Sequence, residues 1–259
     1  MKKRTAVVTG ASSGIGREIA KILSDKGFDL VLCARREDKL EELKSMLKTN
    51  TEIVTADLSE KNQCFKLYEK TRNKNIAVLI NCAGFGGFGQ FSETDLEKEL
   101  EMIDVNIKSL HILTKLYLKD FVQKDKGYIL NVSSSAGLMP AGPYMSAYYA
   151  TKAYVTSLTT AIAQELKNND SNVYIGALCP GPVDTEFNDV AGVKFGMKSI
   201  SAKECADYGI KMMFQRKTLI VPSITMKASV ISQRFLPRGL MASITGEIQK
   251  RKEIVINKN

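Results

Sequence analysis

Tyr148 and Lys152 are the residues of this chain best suited to move a proton. They stand four residues apart in a stretch that reads as a helix from Ala147 onward, which puts both on one face. A free phenol has a pKa of about 10, too high for a base at neutral pH. A lysine cation about 4 Å away, at an effective dielectric of 20, is worth roughly 4 kcal/mol. That equals about three pKa units, so the pair is expected to be an acid/base poised near neutrality. Tyr149 stands three residues before Lys152 and is expected to turn to another face.

A second constellation lies near the start. Thr9-Gly10-Ala11-Ser12-Ser13-Gly14-Ile15-Gly16 follows an apolar run and opens an amphipathic one. Gly10 suits a tight turn, while Gly14 and Gly16 let the backbone approach a phosphate and the helix approach its strand. The phosphates of a dinucleotide would meet the free N–H groups of the helix start. The same stretch also reads as a hydrolase elbow with Ser12 as nucleophile. That reading needs a later histidine, and the only one, His111, falls inside a long helical pattern. After the second apolar run comes Cys33-Ala34-Arg35-Arg36. Ala34 stands where an NAD-preferring site carries an acid for the ribose 2′-hydroxyl. Two guanidinium groups suit the 2′-phosphate of NADP(H) instead.

The elements that must position these groups follow from the hydrophobic pattern. Short dense runs at Ala6–Thr9, Leu30–Cys33, Glu52–Thr55, Ala77–Ile80, Tyr128–Val132, Val173–Leu178 and Leu219–Val221 read as strands buried on both faces. Helical patterns lie between them at Gly14–Lys26, Glu37–Leu47, Lys61–Arg72, Asp95–Val122, Ala147–Leu166 and Ala202–Gln215. The alternation predicts one α/β domain over 1–259, a doubly wound parallel sheet of about seven strands in the order 3-2-1-4-5-6-7. Residues 1–125 form its nucleotide half, 126–224 its catalytic half and 225–259 a helical tail. Pro237 is placed to start a helix on which Leu240, Ile244 and Ile248 make one stripe, followed by Lys250-Arg251-Lys252. An ordinary helix packed on the body or on a partner is the expectation, ahead of one lying on a membrane surface.

Composition excludes several classes. The chain is 44% hydrophobic and 25% charged, with a net charge of +9. The basic residues are interleaved with glutamates, as on a solvated helix face, so no nucleic-acid partner is expected. Five scattered cysteines and one histidine suggest neither disulfides nor a metal, and fit the cytoplasm. The basic N-terminus leads into too short an apolar run for a signal peptide, and none of the runs reaches membrane-spanning length.

Taken together, these motifs resemble the short-chain dehydrogenase/reductase family. The resemblance covers roughly residues 5–186. It rests on the glycine turn, Asp57 after the third strand, Asn81-Cys82-Ala83-Gly84, Asp104-Val105-Asn106, Asn131-Val132-Ser133-Ser134, Tyr148 with Lys152, and Pro180-Gly181 with Thr185. It implies hydride transfer between a carbonyl and an alcohol, with NADP(H) as cofactor. Ser134 would polarise the carbonyl, Tyr148 would exchange the proton, and Lys152 would hold the nicotinamide ribose and lower the pKa of Tyr148. Asn106 would kink its helix and hold a water. The cofactor set comprises Gly10, Ser12, Ser13, Gly14, Ile15, Gly16, Arg35, Arg36, Asp57, Leu58, Asn81, Ala83, Gly84, Tyr148, Lys152, Pro180, Gly181, Val183 and Thr185. Asp57 would contact the adenine, Asn81 the ribose region and Thr185 the carboxamide. One departure concerns the serine: Ser135, not Ser134, has the family's usual spacing to Tyr148. An extra residue in the loop 138–147 reconciles the two, leaving Ser134 as first choice and Ser135 in reserve.

A mouldable apolar pocket is expected from Phe85, Phe88, Phe91, Leu138, Met139, Met145, Phe187, Phe195 and Met197. It suits a lipophilic ketone or alcohol, such as a 3-oxoacyl chain or a steroid. Similar relatives pair through their two long helices, so a homodimer or homotetramer is expected. A catalytically idle NADP(H)-binding scaffold and a nucleotide-sugar epimerase or dehydratase are the alternatives. The intact Ser134, Tyr148, Lys152 and Asn106 speak against the first. The short stretch after Thr185 speaks against the second.

Overall fold

Side chains along the central strands alternate between two apolar layers, whereas the edge strand Thr51–Thr55 buries only Val54 and keeps polar positions. In β1 (Thr5–Thr9), Ala6 and Val8 enter one buried cluster and Val7 the other. In β2 (Asp29–Ala34), Leu30 and Leu32 face the first layer while Val31 and Cys33 face the second. The computed structural model describes residues 3–191, 193–194, 199–250 and 253–254. The remaining strands of the main sheet are β3 (Thr51–Thr55), β4 (Ile76–Asn81), β5 (Gly127–Val132), β6 (Val173–Leu178) and β7 (Leu219–Ile220). All pairings are parallel and the order is 3-2-1-4-5-6-7, as the alternation predicts.

Helices cover both faces. On the first lie α1 (Gly14–Asp25), α2 (Glu37–Ser45) and α7 (Ala202–Phe214), which contribute Ile19, Leu23, Leu40, Leu43, Ile210 and Met213. On the second lie α3 (Lys61–Thr71), α5 (Leu110–Gln123) and α6 (Ser146–Asn168), with Leu67, Leu113, Tyr117, Phe121 and Leu166. Burying one such Leu, Ile or Phe side chain contributes about 1.5–3 kcal/mol. No described helix is long and apolar enough to cross a membrane.

The helix expected over Asp95–Val122 is not one regular helix. It divides into α4 (Leu96–Ile103), a wider π turn over Asp104–Ser109, and α5. The break falls around Asn106, whose amide is spent on another segment. Its Oδ1 accepts from the Phe85 N–H at 3.1 Å, and its Nδ2 donates to the Phe85 carbonyl at 2.9 Å and to Thr151 Oγ1 at 3.0 Å. π turns of this kind recur at functional sites.

The tail also departs from expectation. Pro237 does precede a helix, α9 (Arg238–Lys250), and α8 (Ile224–Ser232) comes before it. Yet the stripe of Leu240, Ile244 and Ile248 stays exposed, while Met241, Thr245, Gly246 and Gln249 face the body. Gly246 permits this seat, because a Cβ there would come within 3.3 Å of Pro143. The basic run ends at the described residue Lys250; Arg251 and Lys252 lie outside the described residues.

Because every strand of the main sheet is parallel, their carboxyl ends meet along one edge, and the order reverses where β1 adjoins β4. That crevice is the usual ligand position in open α/β sheets. Thr9 ties the two strands together: its Oγ1 donates to the Ile80 carbonyl and accepts from the Cys82 and Ala83 N–H groups at 3.0 and 3.2 Å. Gly10 then turns with φ at +66°, where a Cβ would meet the Ala83 nitrogen at 2.8 Å. At Gly16 a Cβ would stand 2.4 Å from the Gly10 carbonyl oxygen. Gly16→Ala is therefore expected to lower stability by about 1–3 kcal/mol, the usual range for overpacking. Thermal unfolding read beside Ala20→Gly, a change on the same helix away from the turn, checks it. An unshifted melting midpoint for Gly16→Ala would contradict the close approach.

Candidate active site

A cleft of about 520 Å³ opens along the strand edge. The glycine turn supplies Gly10, Ser12, Ser13, Gly14 and Ile15 to its wall, and Ala83 and Gly84 follow β4. Ser13 precedes α1 in extended geometry and makes no side-chain cap, and the first turn of α1 carries no acid. The helix start thus keeps its N–H groups for an anion. Gly16 lies behind the wall, as its contact with Gly10 requires.

At the other end of the cleft Tyr148 and Lys152 are both buried, at 8% and 5% exposure. Lys152 Nζ donates to the Val132 carbonyl at 3.0 Å and stands 5.9 Å from the centre of the Tyr148 ring. Burial, not attraction, dominates their protonation. It lifts the Tyr148 phenol to about 12, with a hydrogen bond from Ser134 opposing the rise. Burial likewise lowers Lys152 to about 8. The phenol expected near neutrality is therefore held in its protonated form by burial. The physical reason is that both groups leave water, and desolvation is the largest influence on each.

The two candidate serines separate by geometry. Ser134 Oγ meets the Tyr148 phenol and accepts from the Ala136 N–H at 3.1 Å. Ser135 lines the cleft, and its N–H donates to the Pro180 carbonyl at 2.7 Å, tying the β5 end to the β6 end. Asn106 sits behind Gly84, where a Cβ would come within 2.8 Å of Asn106 Oδ1 and 3.3 Å of Lys152 Nζ. Only glycine leaves that space.

Asn81 is not in the cleft wall. It is buried below it, donating to Thr114 Oγ1 at 3.0 Å and to Asn131 Oδ1 at 2.9 Å; Asn131 in turn donates to Thr159 at 2.9 Å. The network joins β4, β5, α5 and α6 beneath the reactive groups. Pro180, Gly181, Val183, Thr185 and Leu58 line the cleft as expected.

The nucleotide end carries charge. Arg36 Nη2 lies 3.2 Å from Ser12 Oγ and 2.7 Å from Glu186, and Arg35 lies 3.0 Å from Glu101. Asp57 Oδ1 accepts from the Ser59 N–H and hydroxyl at 2.9 and 2.8 Å, while its other oxygen stands 3.9 Å from Arg35. The hydrogen bond from Arg36 holds the Glu186 carboxyl below its ordinary value.

At the substrate end, Phe85, Met139, Met145 and Phe187 line the cleft as expected. Phe88 packs in the same apolar cluster, Leu138 packs beside Met226, and Phe91 faces solvent. Phe195 and Met197 lie outside the described residues. Tyr149 does turn from Lys152, yet it lines the cleft and its phenol accepts from Gln249 Nε2 at 2.7 Å. Met226, Thr245 and Gln249 were not legible as cleft residues, because their approach depends on how the tail folds back, and neither was Glu186, whose approach depends on its distant partner Arg36. His111 is remote from Ser12; its ring pairs with the Tyr154 hydroxyl at 2.7 Å on an exposed surface, so no nucleophile–histidine pair forms. Among the described residues no cluster of His, Cys, Asp and Glu could hold a metal.

Known proteins bear out what this arrangement suggests. The family model for short chain dehydrogenases matches residues 4–193. An uncharacterized oxidoreductase of Staphylococcus epidermidis is 33% identical over 231 residues, 88% of this chain and 98% of that one. The 3-oxoacyl-[acyl-carrier-protein] reductase FabG of Rickettsia prowazekii is 30% identical, over 80% of this chain and 84% of its own. A short-chain dehydrogenase from Sphingobium yanoikuyae, solved in complex with NADPH, superposes with a TM-score of 0.81 at 29% identity, covering 92% of this chain and 95% of that one. The chain belongs to the short-chain dehydrogenase family and is an oxidoreductase of that family.

The depressed Lys152 value has a consequence for stability. The unfolded chain binds this proton more tightly than the folded one, so stability rises with pH from about 8 toward the ordinary lysine value of 10.5, and the burial cost is fully present below about 8. Lys152→Met is expected to raise unfolding stability at pH 7 by about 1–3 kcal/mol, with a smaller gain at pH 9.5. Denaturant titrations at the two pH values check both the sign and the trend.

Proposed function

We propose that the chain interconverts a lipophilic ketone and its secondary alcohol with NADP(H). The observation that carries this reading is the meeting of Tyr148, Ser134 and Lys152 at the point where the glycine-turn cleft joins the pocket of Phe85, Met139, Met145 and Phe187. The dinucleotide, when bound, supplies or accepts the hydride. The chain's own groups handle the proton and the geometry. The Tyr148 phenol, protonated across the neutral range, suits donation to the oxygen of a carbonyl undergoing reduction. Ser134 Oγ holds that oxygen beside the phenol. Lys152 stands ready for the ribose hydroxyls, and a ligand there would relieve its burial by giving its ammonium further acceptors. Asn106 fixes the Phe85 segment against α6, and so the floor beneath the reacting carbon.

Preference for NADP(H) is supported by Ala34 at the end of β2 and by Arg35 and Arg36 on the cleft wall beside Ser12. Glu186 and Glu101 hold these guanidiniums in the ligand-free chain, and a 2′-phosphate would compete for them. The unpaired cysteines support a reducing compartment, the cytoplasm. Exposed Leu100 and Ile103 on α4 support association into a homodimer or homotetramer.

Two results are expected. Tyr148→Phe should retain NADPH binding by fluorescence and lose 10²-fold or more in turnover of a ketone panel, the scale of a removed general acid; undiminished turnover would exclude Tyr148 as the acid. Arg36→Ala should lower kcat/KM for NADPH by roughly 10- to 100-fold, the worth of a charge-assisted hydrogen bond, and leave NADH nearly unchanged. Wild-type activity with NADH alone would defeat the NADP(H) assignment.

A further inference from the structure

A few buried polar atoms are left without a partner among the described residues. A helical threonine removed from water ordinarily bonds the carbonyl one turn back. Thr71, Thr156 and Thr160 do so, to Leu67, Lys152 and Thr156 at 3.0, 3.0 and 2.8 Å. Thr245 on α9 does not. It is 3% exposed, it lines the cleft, and its Oγ1 has no hydrogen-bond partner among the described residues. One turn later Gln249 is also 3% exposed and lines the cleft. Its Nε2 is committed to the Tyr149 phenol at 2.7 Å, while its Oε1 has no partner. Four residues apart on one helix, the two side chains share a face. Around them the wall is apolar: Met226, Ile248 and the Tyr149 ring.

We propose that Thr245 and Gln249 form a polar subsite that recognises a neutral hydroxyl carried by the substrate away from its reacting carbon. This rests on the carbonyl/alcohol reading above and narrows its substrate class. The chemistry selects the group. Gln249 Oε1 can only accept, so the ligand must donate. Thr245 Oγ1 can do either, so a hydroxyl, which donates and accepts, satisfies both. A carboxylate accepts only and would leave Gln249 unpaired. Two unfilled polar atoms, already removed from water, also discriminate against a ligand with nothing to offer them, since it would leave them unpaired. The substrate expected is an apolar body with a ketone at the Tyr148 end and a hydroxyl at the α9 end.

The test uses three ketones of one rigid hydrocarbon skeleton, bearing remotely a hydroxyl, a hydrogen or a carboxylate, with NADPH and NADH each supplied to the full chain. The hydroxy-ketone should show the highest kcat/KM, about 10-fold above its deoxy counterpart. Thr245→Val and Gln249→Met should each erase most of that ratio through the hydroxy-ketone, moving the deoxy-ketone less than about 2-fold. Equal loss on both ketones would mark the two residues as merely structural, and a wild-type preference for the deoxy- or carboxy-ketone would equally overturn the subsite. If none of the three turns over with either dinucleotide, the carbonyl reading fails for this class, and calorimetric titration of the same compounds decides the subsite alone. Tighter binding of the hydroxy-ketone, lost in Thr245→Val, upholds it; equal binding overturns it.

Discussion

A lysine ammonium held out of water beside a phenol is the constraint on which the rest of this molecule depends. Among the described residues Lys152 Nζ has one hydrogen-bond acceptor, the Val132 carbonyl, and burial drags its pKa down to about 8 while pushing Tyr148 up to about 12. A buried cation with so few partners lowers the stability of the fold. It persists because the surrounding structure leaves it nowhere else to go. α6 carries both residues on one face, β5 presents the carbonyl, and Gly84 keeps clear the space that a side chain would take from Lys152 and Asn106.

That arrangement is held from below by polar groups with nothing to do with ligand. Asn81 Nδ2, Asn131, Thr114 and Thr159 bond one another across two strands and two helices, leaving only Asn81 Oδ1 of this group unpartnered among the described residues. Ser133 bonds the Lys152 carbonyl at 2.9 Å and pairs with Thr156 at 2.7 Å, so the strand end and the catalytic helix cannot slide independently. Buried networks with most members satisfied are rigid, and rigidity is what a proton-transfer geometry requires. The π turn at Asn106 serves the same end: the helix gives up regular hydrogen bonding so that one amide can fasten the Phe85 segment to α6.

The cleft is completed by the part of the chain with the least motif content. α9 turns Met241, Thr245 and Gln249 inward and leaves Leu240 and Ile244 outward, with Ile248 half-exposed at the cleft wall, against what its hydrophobic stripe suggests. The inward face is chosen by fit, with Gly246 closing on Pro143 and Gln249 reaching Tyr149.

Alternating apolar runs were enough to set the main sheet and its order, and local motifs were enough to name candidate reactive residues. Strands buried on both faces must be uniformly apolar, and the glycine turn, Ser134, Tyr148 and Lys152 lie in local patterns whose spacing carries their geometry. The sequence could not determine which way the protonation of Tyr148 moves, because that depends on how much water each group loses, a property of the packed whole. Nor could it reveal that Asn81 sits beneath the cleft, that Ser134 meets the phenol while Ser135 ties two strands, or that Thr245 and Gln249 line the substrate end. Those outcomes depend on contacts between segments up to a hundred residues apart, as between Tyr149 and Gln249, and only tertiary packing decides them.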